Sequence, residues 1–383
     1  MSATLSPATS IELRVPVSEI AAHAADVDAE SRFPAESIEA LRRSGLLGLG
    51  VSERFGGRGG SPRAVAEAIE QVAAACGSTG MIYTMHLVAV QTMQACAEDE
   101  GPPADALRAI AAGEHLTTIA FSETGTRSHF WAQLSTATPD GERVRLDAEK
   151  SWVTAAAQAD SYVTAVRAPG SSNPLVTELY LVDANTPGIE IGASFDGLGM
   201  RGNGSSPVTF DGVEVNADRR LGDAAGGFGV MMSATLPWFV LGCASCCVGL
   251  SGAALEQAAE HVSATRLEHE GVMLASLPTI RARLGNAKVR HMQARALLFE
   301  VAGQLEAGEP EAQLGVLALK AAGAEAAIEV TDVAMRVCGG AAYSKHLPLE
   351  RLFRDARAAS VMAPTTDVLV DLLGKTLTGQ PLF

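Results

Sequence analysis

Leu284, Ala287, His291, Ala294, Leu298, Val301 and Leu305 recur at steps of three and four, which lines them along one face of a long helix. Gly308 and Pro310 end that helix, and a second is predicted over 311–337. The beginning of the chain reads similarly. Residues 1–14 form a loose tail, and Pro34 with Ile38 and Leu41 marks a short helix closed by Gly45. The glycines at 56, 57, 59 and 60 make a loop, Ser61-Pro62 opens a helix over 64–75, and a Gly77-Ser78 break opens another. That helix runs through Met81, Met85, Val88 and Met93 and ends before Pro102-Pro103.

The pattern changes at Leu116. Short runs rich in β-branched and aromatic residues, at 116–121, 161–166, 178–182 and 207–215, alternate with Gly, Pro, Asn and Asp turns. Strands spaced in this way predict a small antiparallel barrel or sandwich. The chain therefore divides into a helical domain over 1–115, a β domain over 116–222 and a helical bundle over 223–383. The fold class is mainly α with a middle β domain.

Composition narrows the function. A chain of 383 residues with 47% hydrophobic residues, 19% charged and mean hydropathy +0.16 can bury two or three cores. A net charge of −15 argues against a nucleic-acid or anionic-membrane partner and leaves a small-molecule substrate as the expectation. Glu12 and Glu19 interrupt the first twenty residues, so no signal peptide is expected. The apolar run over 239–250 is broken by Gly and Ser and is shorter than the roughly 20 residues that span a bilayer. A cytoplasmic location with six reduced cysteines is the expectation.

Near the end of the chain stand Cys338-Gly339-Gly340, then Leu349-Glu350-Arg351-Leu352-Phe353-Arg354-Asp355-Ala356-Arg357, then Ala363-Pro364-Thr365. A glycine pair after a helix lets backbone amides approach a ligand, and the Arg/Asp pattern is that of an ion-paired helix. This order resembles the C-terminal signature of the acyl-CoA dehydrogenase family. The resemblance implies an N-terminal helical domain, a β barrel or sandwich and a C-terminal four-helix bundle. It also implies that Gly339 and Gly340 meet the FAD of a neighbouring subunit. In the family an Arg-Asp-Ala-Arg helix leads to a Glu-Gly-Thr segment whose Glu is the catalytic base. Ala363 occupies that Glu position here, and Thr365 joins the flavin contacts.

Phe121-Ser122-Glu123-Thr124-Gly125-Thr126-Arg127-Ser128-His129 resembles the family's Thr-Glu-Pro-Gly-Ala-Gly-Ser-Asp segment. The resemblance gives Phe121 and Ser122 to the flavin and sets Ser128 between flavin and substrate. Small residues and amides suit a flavin, whose N1, C2=O and C4=O need close donors. By itself the segment also reads as a capped turn after a strand. Trp152-Val153-Thr154 resembles the family's Trp-Ile-Thr strand, which implies flavin contacts at Trp152 and Thr154; a strand Trp otherwise reads as core. Arg266 matches an Arg that reaches a partner's FAD.

Three further features are weighed. Gly197-Leu198-Gly199-Met200-Arg201-Gly202 spells G-x-G-x-x-G but precedes a strand, so it reads as a turn rather than a dinucleotide site. Cys243 and Cys246, with Cys247 next, read as buried packing rather than zinc ligands. The helix start Leu236-Pro237-Trp238-Phe239-Val240 lacks the Asp, Arg and alternative Glu found there in family members, and Trp238 becomes a substrate contact beside Ser128 and Arg127.

The resemblance implies three functions. One is an FAD-dependent dehydrogenase of a CoA- or carrier-linked acyl thioester with a non-standard or absent base, passing electrons to an acceptor; group elimination at the β-carbon, with Arg127 as anion contact, is a variant of it. A second is a monooxygenase that uses O2 with FAD, FMN or diffusible reduced flavin from a reductase. His86 is then a candidate for orienting the oxygen species, or else a packed core histidine. The third is a non-catalytic partner subunit. A homodimer or homotetramer is implied in the first two cases.

Overall fold

The computed structural model of the protein describes residues 13–383, so most of the predicted N-terminal tail lies outside the described residues. The helices α1 (Val17–Glu30), α2 (Ala35–Arg43), α3 (Pro62–Ala75), α4 (Gly77–Gln94) and α5 (Pro102–Ala111) come first. The Ser61 hydroxyl accepts the Ala64 amide at 3.3 Å and Pro62 occupies the first turn, so α3 begins where its cap predicts. Helix α1 was not anticipated, although it buries Ile20, Ala24 and Val27 on one face.

The middle region forms one eight-stranded sheet. Its strands are β1 (Thr117–Ala120), β2 (Thr136–Asp140), β3 (Arg143–Val153), β4 (Ser161–Arg167), β5 (Thr177–Asp183), β6 (Ile189–Ile191), β7 (Ser206–Asn216) and β8 (Arg220–Leu221). They lie in the order β6-β7-β3-β2-β4-β5-β8, with β1 on β4. The expectation of a purely antiparallel domain is corrected, because β1 and β2 both pair with β4 in parallel. β1 runs directly from the helical domain into the sheet, and Thr117 sits opposite Ser161. Along β3, Val144, Leu146, Ala148 and Lys150 all point inward, so the strand alternation carries a lysine into the interior.

A helix of 38 residues follows over Gly227–Ala264, composed of α6 (Gly227–Val230), a π turn (Met231–Thr235) and α7 (Leu236–Ala264). Pro237 has no N–H to return to the preceding turn, and widening that turn to π spacing accommodates the loss. This length corrects the expectation that the apolar run is too short to cross a bilayer. By length and composition the helix suffices, but 78% of its most apolar window is buried inside the protein. It is the central core helix, packed by α3 and α4 on one side. A Cβ on Gly249 would come within 2.2 Å of the Glu70 carbonyl oxygen, so α7 and α3 touch backbone to backbone. Cys243, Cys246 and Cys247 are buried free thiols of this helix. Among the described residues no group of three His, Cys, Asp or Glu is placed to hold a metal.

After a small hairpin, β9 (Arg266–Leu267) and β10 (Val272–Met273), come α8 (Pro278–Ala307) and α9 (Ala312–Cys338). The predicted stripe on α8 is buried at Ala287, His291, Ala294, Leu298 and Val301, and Gly308 closes the helix at φ 67°. The remaining helices are α10 (Gly340–Tyr343), α11 (Leu349–Asp355), α12 (Ala358–Val361) and α13 (Thr366–Thr378). α7, α8, α9 and α13 build the bundle. Residues of the first and last helical regions share one hydrophobic core, while the sheet has its own around Leu146, Tyr162, Tyr180 and Phe210.

Asp355, in the Arg/Asp helix, accepts the Met200 amide at 2.6 Å, and Arg354 pairs with Asp28 and Glu350. The G-x-G-x-x-G segment is a turn, as predicted. A Cβ on Gly199 would lie 2.5 Å from the Arg354 carbonyl carbon, so this turn is pressed onto α11. The motif that looks like a phosphate cradle is a joint between domains.

Candidate active site

Ser122 and Glu123 follow directly on β1, and the Ser151 amide donates to the Ser122 carbonyl at 2.8 Å. That bond sets Trp152 beside the Ser122 segment. Glu123 turns inward and meets Lys150 Nζ at 2.7 Å, with the lysine side chain fully buried. Lys150 also donates to Gln133 Oε1 at 2.6 Å and to the Ala165 carbonyl at 2.5 Å. Burial works against the Glu123 charge, but the Lys150 ammonium with the Ser135 hydroxyl and Leu134 amide holds its carboxyl below the ordinary range. Gln133 closes the network by donating to the Phe121 and Phe130 carbonyls at 3.1 and 2.7 Å. This polar knot fixes the loop that carries Ser122 and Ser128, and its partners are satisfied within the protein.

Ser128 reaches the last region of the chain. Its hydroxyl donates to Thr365 Oγ1 at 3.0 Å and accepts the Thr365 amide at 3.1 Å. Lys320 of α9 grips the same segment from behind. Its Nζ donates to the carbonyls of Ala359, Met362 and Pro364 at 2.7, 3.0 and 2.7 Å, and the residue is fully buried. Ala363 therefore sits on a backbone held from both sides.

Trp152 is not core. It lies at φ 57°, is 58% exposed and stacks on Phe195 with ring centroids 3.9 Å apart. Thr154 is buried against Ser205, Oγ to Oγ 3.4 Å. Phe121, Phe130, Trp131 and Phe239 form a buried aromatic cluster beside the loop, with Phe121 to Phe130 at 6.1 Å and Phe130 to Phe239 at 6.5 Å. Outside it lies a cleft of about 630 Å³ lined by His129, Trp131, Leu175, Asp367, Asp371 and Phe383, among others.

Ser128 and Thr365 are thus joined beside Ala363, the Ser151–Ser122 bond ties the start of the same loop to the strand end that carries Trp152, and Arg127 is exposed on the loop at φ 49°. Trp238 is half-buried against the main core. Arg266 and the Gly339–Gly340 corner stand apart. From Phe239, which packs on Phe130, to the end of α7 is about 38 Å, and from Lys320 to the end of α9 about 27 Å, at 1.5 Å per residue. A Cβ on Gly339 or Gly340 would meet nothing within 4 Å, and Gly339 lies at φ 56°, ψ −132°. The Gly340 position is open within the chain.

Of the two readings of His86, its surroundings are those of a packed core histidine. The ring is fully buried, Nδ1 accepts the Thr117 amide at 3.2 Å and Nε2 lies 3.0 Å from the Leu47 carbonyl. With Nδ1 accepting, Nε2 carries the proton and donates, so one nitrogen joins α4 to β1 and the other joins it to the turn after α2. Burial lowers its pKa to about 4.

Lys320 and the Glu123–Lys150 pair are absent from the sequence reading. The signal for Lys320 was a lone lysine in the apolar run Leu317-Ala318-Leu319-Lys320-Ala321-Ala322.

A flavin fits these residues: a large aromatic face left exposed at Trp152, a buried Thr366 hydroxyl without a partner, and a glycine corner open to a ligand. The family descriptions "Acyl-CoA dehydrogenase, N-terminal domain", "middle domain" and "C-terminal domain" match residues 15–114, 118–213 and 225–378. The short-chain specific acyl-CoA dehydrogenase of Bos taurus mitochondria is 29% identical over 90% of this chain and 83% of its own. A 3-(aryl)acrylate reductase of Clostridium sporogenes is 25% identical over 91% of this chain and 92% of its own. Butyryl-CoA dehydrogenase from Megasphaera elsdenii has the same fold, with TM-score 0.89, 22% identity and coverage of 97% and 100% of the two chains. Three domain matches in the right order, on the architecture seen here, make this chain a member of the acyl-CoA dehydrogenase family of flavin enzymes.

Proposed function

We propose that this protein is a flavin-dependent oxidoreductase whose chemistry does not begin with proton removal by a carboxylate, and that it oxygenates an organic substrate with reduced flavin and O2. The observation that carries this reading is Ala363. The segment is held by Ser128 and Lys320, yet it offers a methyl group where the resembled family has its base. Glu123 is engaged with Lys150 and Asp355 with the Met200 amide, while Asp367, which lines the adjacent cleft, stands in the first turn of α13 and not at position 363. The helix start at Leu236–Val240 supplies none.

The flavin, FAD or FMN, supplies the redox chemistry. The chain's own residues shape its surroundings. Ser122, Thr154 and the exposed Trp152 face border it, and Ser128 and Thr365 fix the distance between loop and C-terminal segment. Arg266 and the Gly339–Gly340 corner serve the flavin of another copy, because the lengths of α7 and α9 carry them away from their own cluster. A dimer or tetramer follows from this.

Dehydrogenation of an acyl thioester is the second reading, favoured by the acyl-CoA dehydrogenases among the relatives. One experiment separates the two. The flavin-loaded protein is mixed anaerobically with butyryl- to octanoyl-CoA, and separately with a flavin reductase, NADH, O2 and indole as a trial substrate. Oxygen uptake that depends on both protein and indole, with no flavin bleaching by the thioesters, supports oxygenation. Fast bleaching by the native protein overturns it. Ala363→Glu restores a carboxylate worth about 10²–10⁴ in rate where a thioester enters, so bleaching gained only by that variant identifies the missing base as the cause.

A further inference from the structure

We propose that the slot between Trp131 and Phe228 binds an uncharged aromatic ring of the substrate, and that the Phe383 ring now filling it is a displaceable stand-in. Phe383 lies edge-to-face on Trp131 with centroids 5.4 Å apart and planes at 80°, and on Phe228 at 5.2 Å and 88°. This is the arrangement that aromatic pairs prefer. The slot is thus already shaped for a ring.

The stand-in is weakly held. Its residue is 52% exposed, and among the described residues the Gln380 amide, bonded to the Lys375 carbonyl, makes the last backbone hydrogen bond before it. Trp131, by contrast, is buried and joined to Phe130 at 5.3 Å, and through it to the cluster beside Ser128. The Trp131 wall of the slot is rigid, and the Phe383 ring that fills it can leave.

Volume and charge indicate the ligand. Trp131 and Phe383 also line the adjoining cleft of about 630 Å³, so removing the Phe383 ring opens the slot onto a space within the range of small-molecule sites, roughly 300–1,000 Å³. Its mouth carries Asp367 and Asp371 from α13, and Lys375 is paired with Asp371 at 3.0 Å. One carboxylate is left over, on a chain of net charge −15. The phosphates of a CoA thioester are repelled there, whereas a neutral ring loses nothing. His129, between Ser128 and the cleft wall, sets the slot next to the held Ala363 segment. The inference rests on that segment being the reaction site, and not on which flavin chemistry occurs there.

Titration calorimetry of the full, flavin-loaded chain with indole tests it. Phe383→Ala vacates the slot and should bind indole about tenfold more tightly than the native protein, the size of effect that aromatic contacts supply. Phe383→Trp keeps the slot filled and should show no gain. Butyryl-CoA should not displace indole from Phe383→Ala. Indole binding that is absent, or equal in all three proteins, overturns the proposal, as does displacement by butyryl-CoA. Binding is read without turnover, so a failed oxygen-uptake assay leaves this result standing, and the reverse also holds.

Discussion

The Ser128 hydroxyl donates to the Thr365 hydroxyl and accepts the Thr365 amide, which ties the loop after β1 to the residue that caps α13. Both bonds belong to one oxygen. Ser128→Ala removes them together and should cost about 1–2 kcal/mol. Hydrogen exchange at the Thr365 amide is the sensitive probe, and unchanged protection there would mean that the bond does not persist in solution.

Lys320 holds three carbonyls with one ammonium and has no carboxylate partner among the described residues. In Lys320→Met the carbonyls stay buried without donors, each costing about 1–3 kcal/mol before relaxation. We expect a loss of about 3 kcal/mol in urea unfolding and a looser Ala358–Pro364 region. A variant as stable as the native chain would show that water replaces the ammonium.

Two buried groups give opposite pH dependences. Burial raises Asp355 to about 6 from an ordinary 3.8, so between these values the folded state keeps a proton that the unfolded chain releases, and stability falls as pH rises. His86 is lowered to about 4 from 6.5, so the unfolded chain binds the extra proton and stability rises with pH over that span. Asp355→Asn removes the falling contribution, up to about 3 kcal/mol. Stability measured from pH 4 to 6 should therefore rise more steeply in the variant, and equal slopes would place the Asp355 titration elsewhere.

Gly340 has open space at its Cβ position, so Gly340→Arg should leave the folded monomer's stability within about 0.5 kcal/mol. The same change should weaken flavin retention and assembly if the corner faces a neighbouring copy. Light scattering and flavin content decide this, and a fully loaded oligomer of the variant would remove the corner from the flavin site.

Legibility followed the range of the interactions. The α8 stripe and the Ser61-Pro62 start depend on neighbours within a turn, and both stand as read. β2 escaped notice because it is short and carries Pro139, and its place is set by pairing with β3 and β4. A strand Trp by itself leaves core and ligand contact open, and at Trp152 it is the positive φ, invisible in the sequence, that turns the ring outward at the strand's end. The Glu123–Lys150 pair joins residues whose charges look solvated one at a time; only the strand register brings them together inside. His86 left two readings open for the same reason, because its partners, Leu47 and Thr117, offer backbone atoms that no side-chain motif reveals.

The Lys320 grip takes hold of oxygens that every residue type possesses. Position 363 is consequently fixed in space by a device indifferent to the side chain carried there, so the machinery of placement is separable from the identity of the reactive group. A single codon change at 363 can delete, restore or replace a functional group while the surrounding scaffold stays put, which makes this position a natural entry point for redirecting the chemistry of the fold.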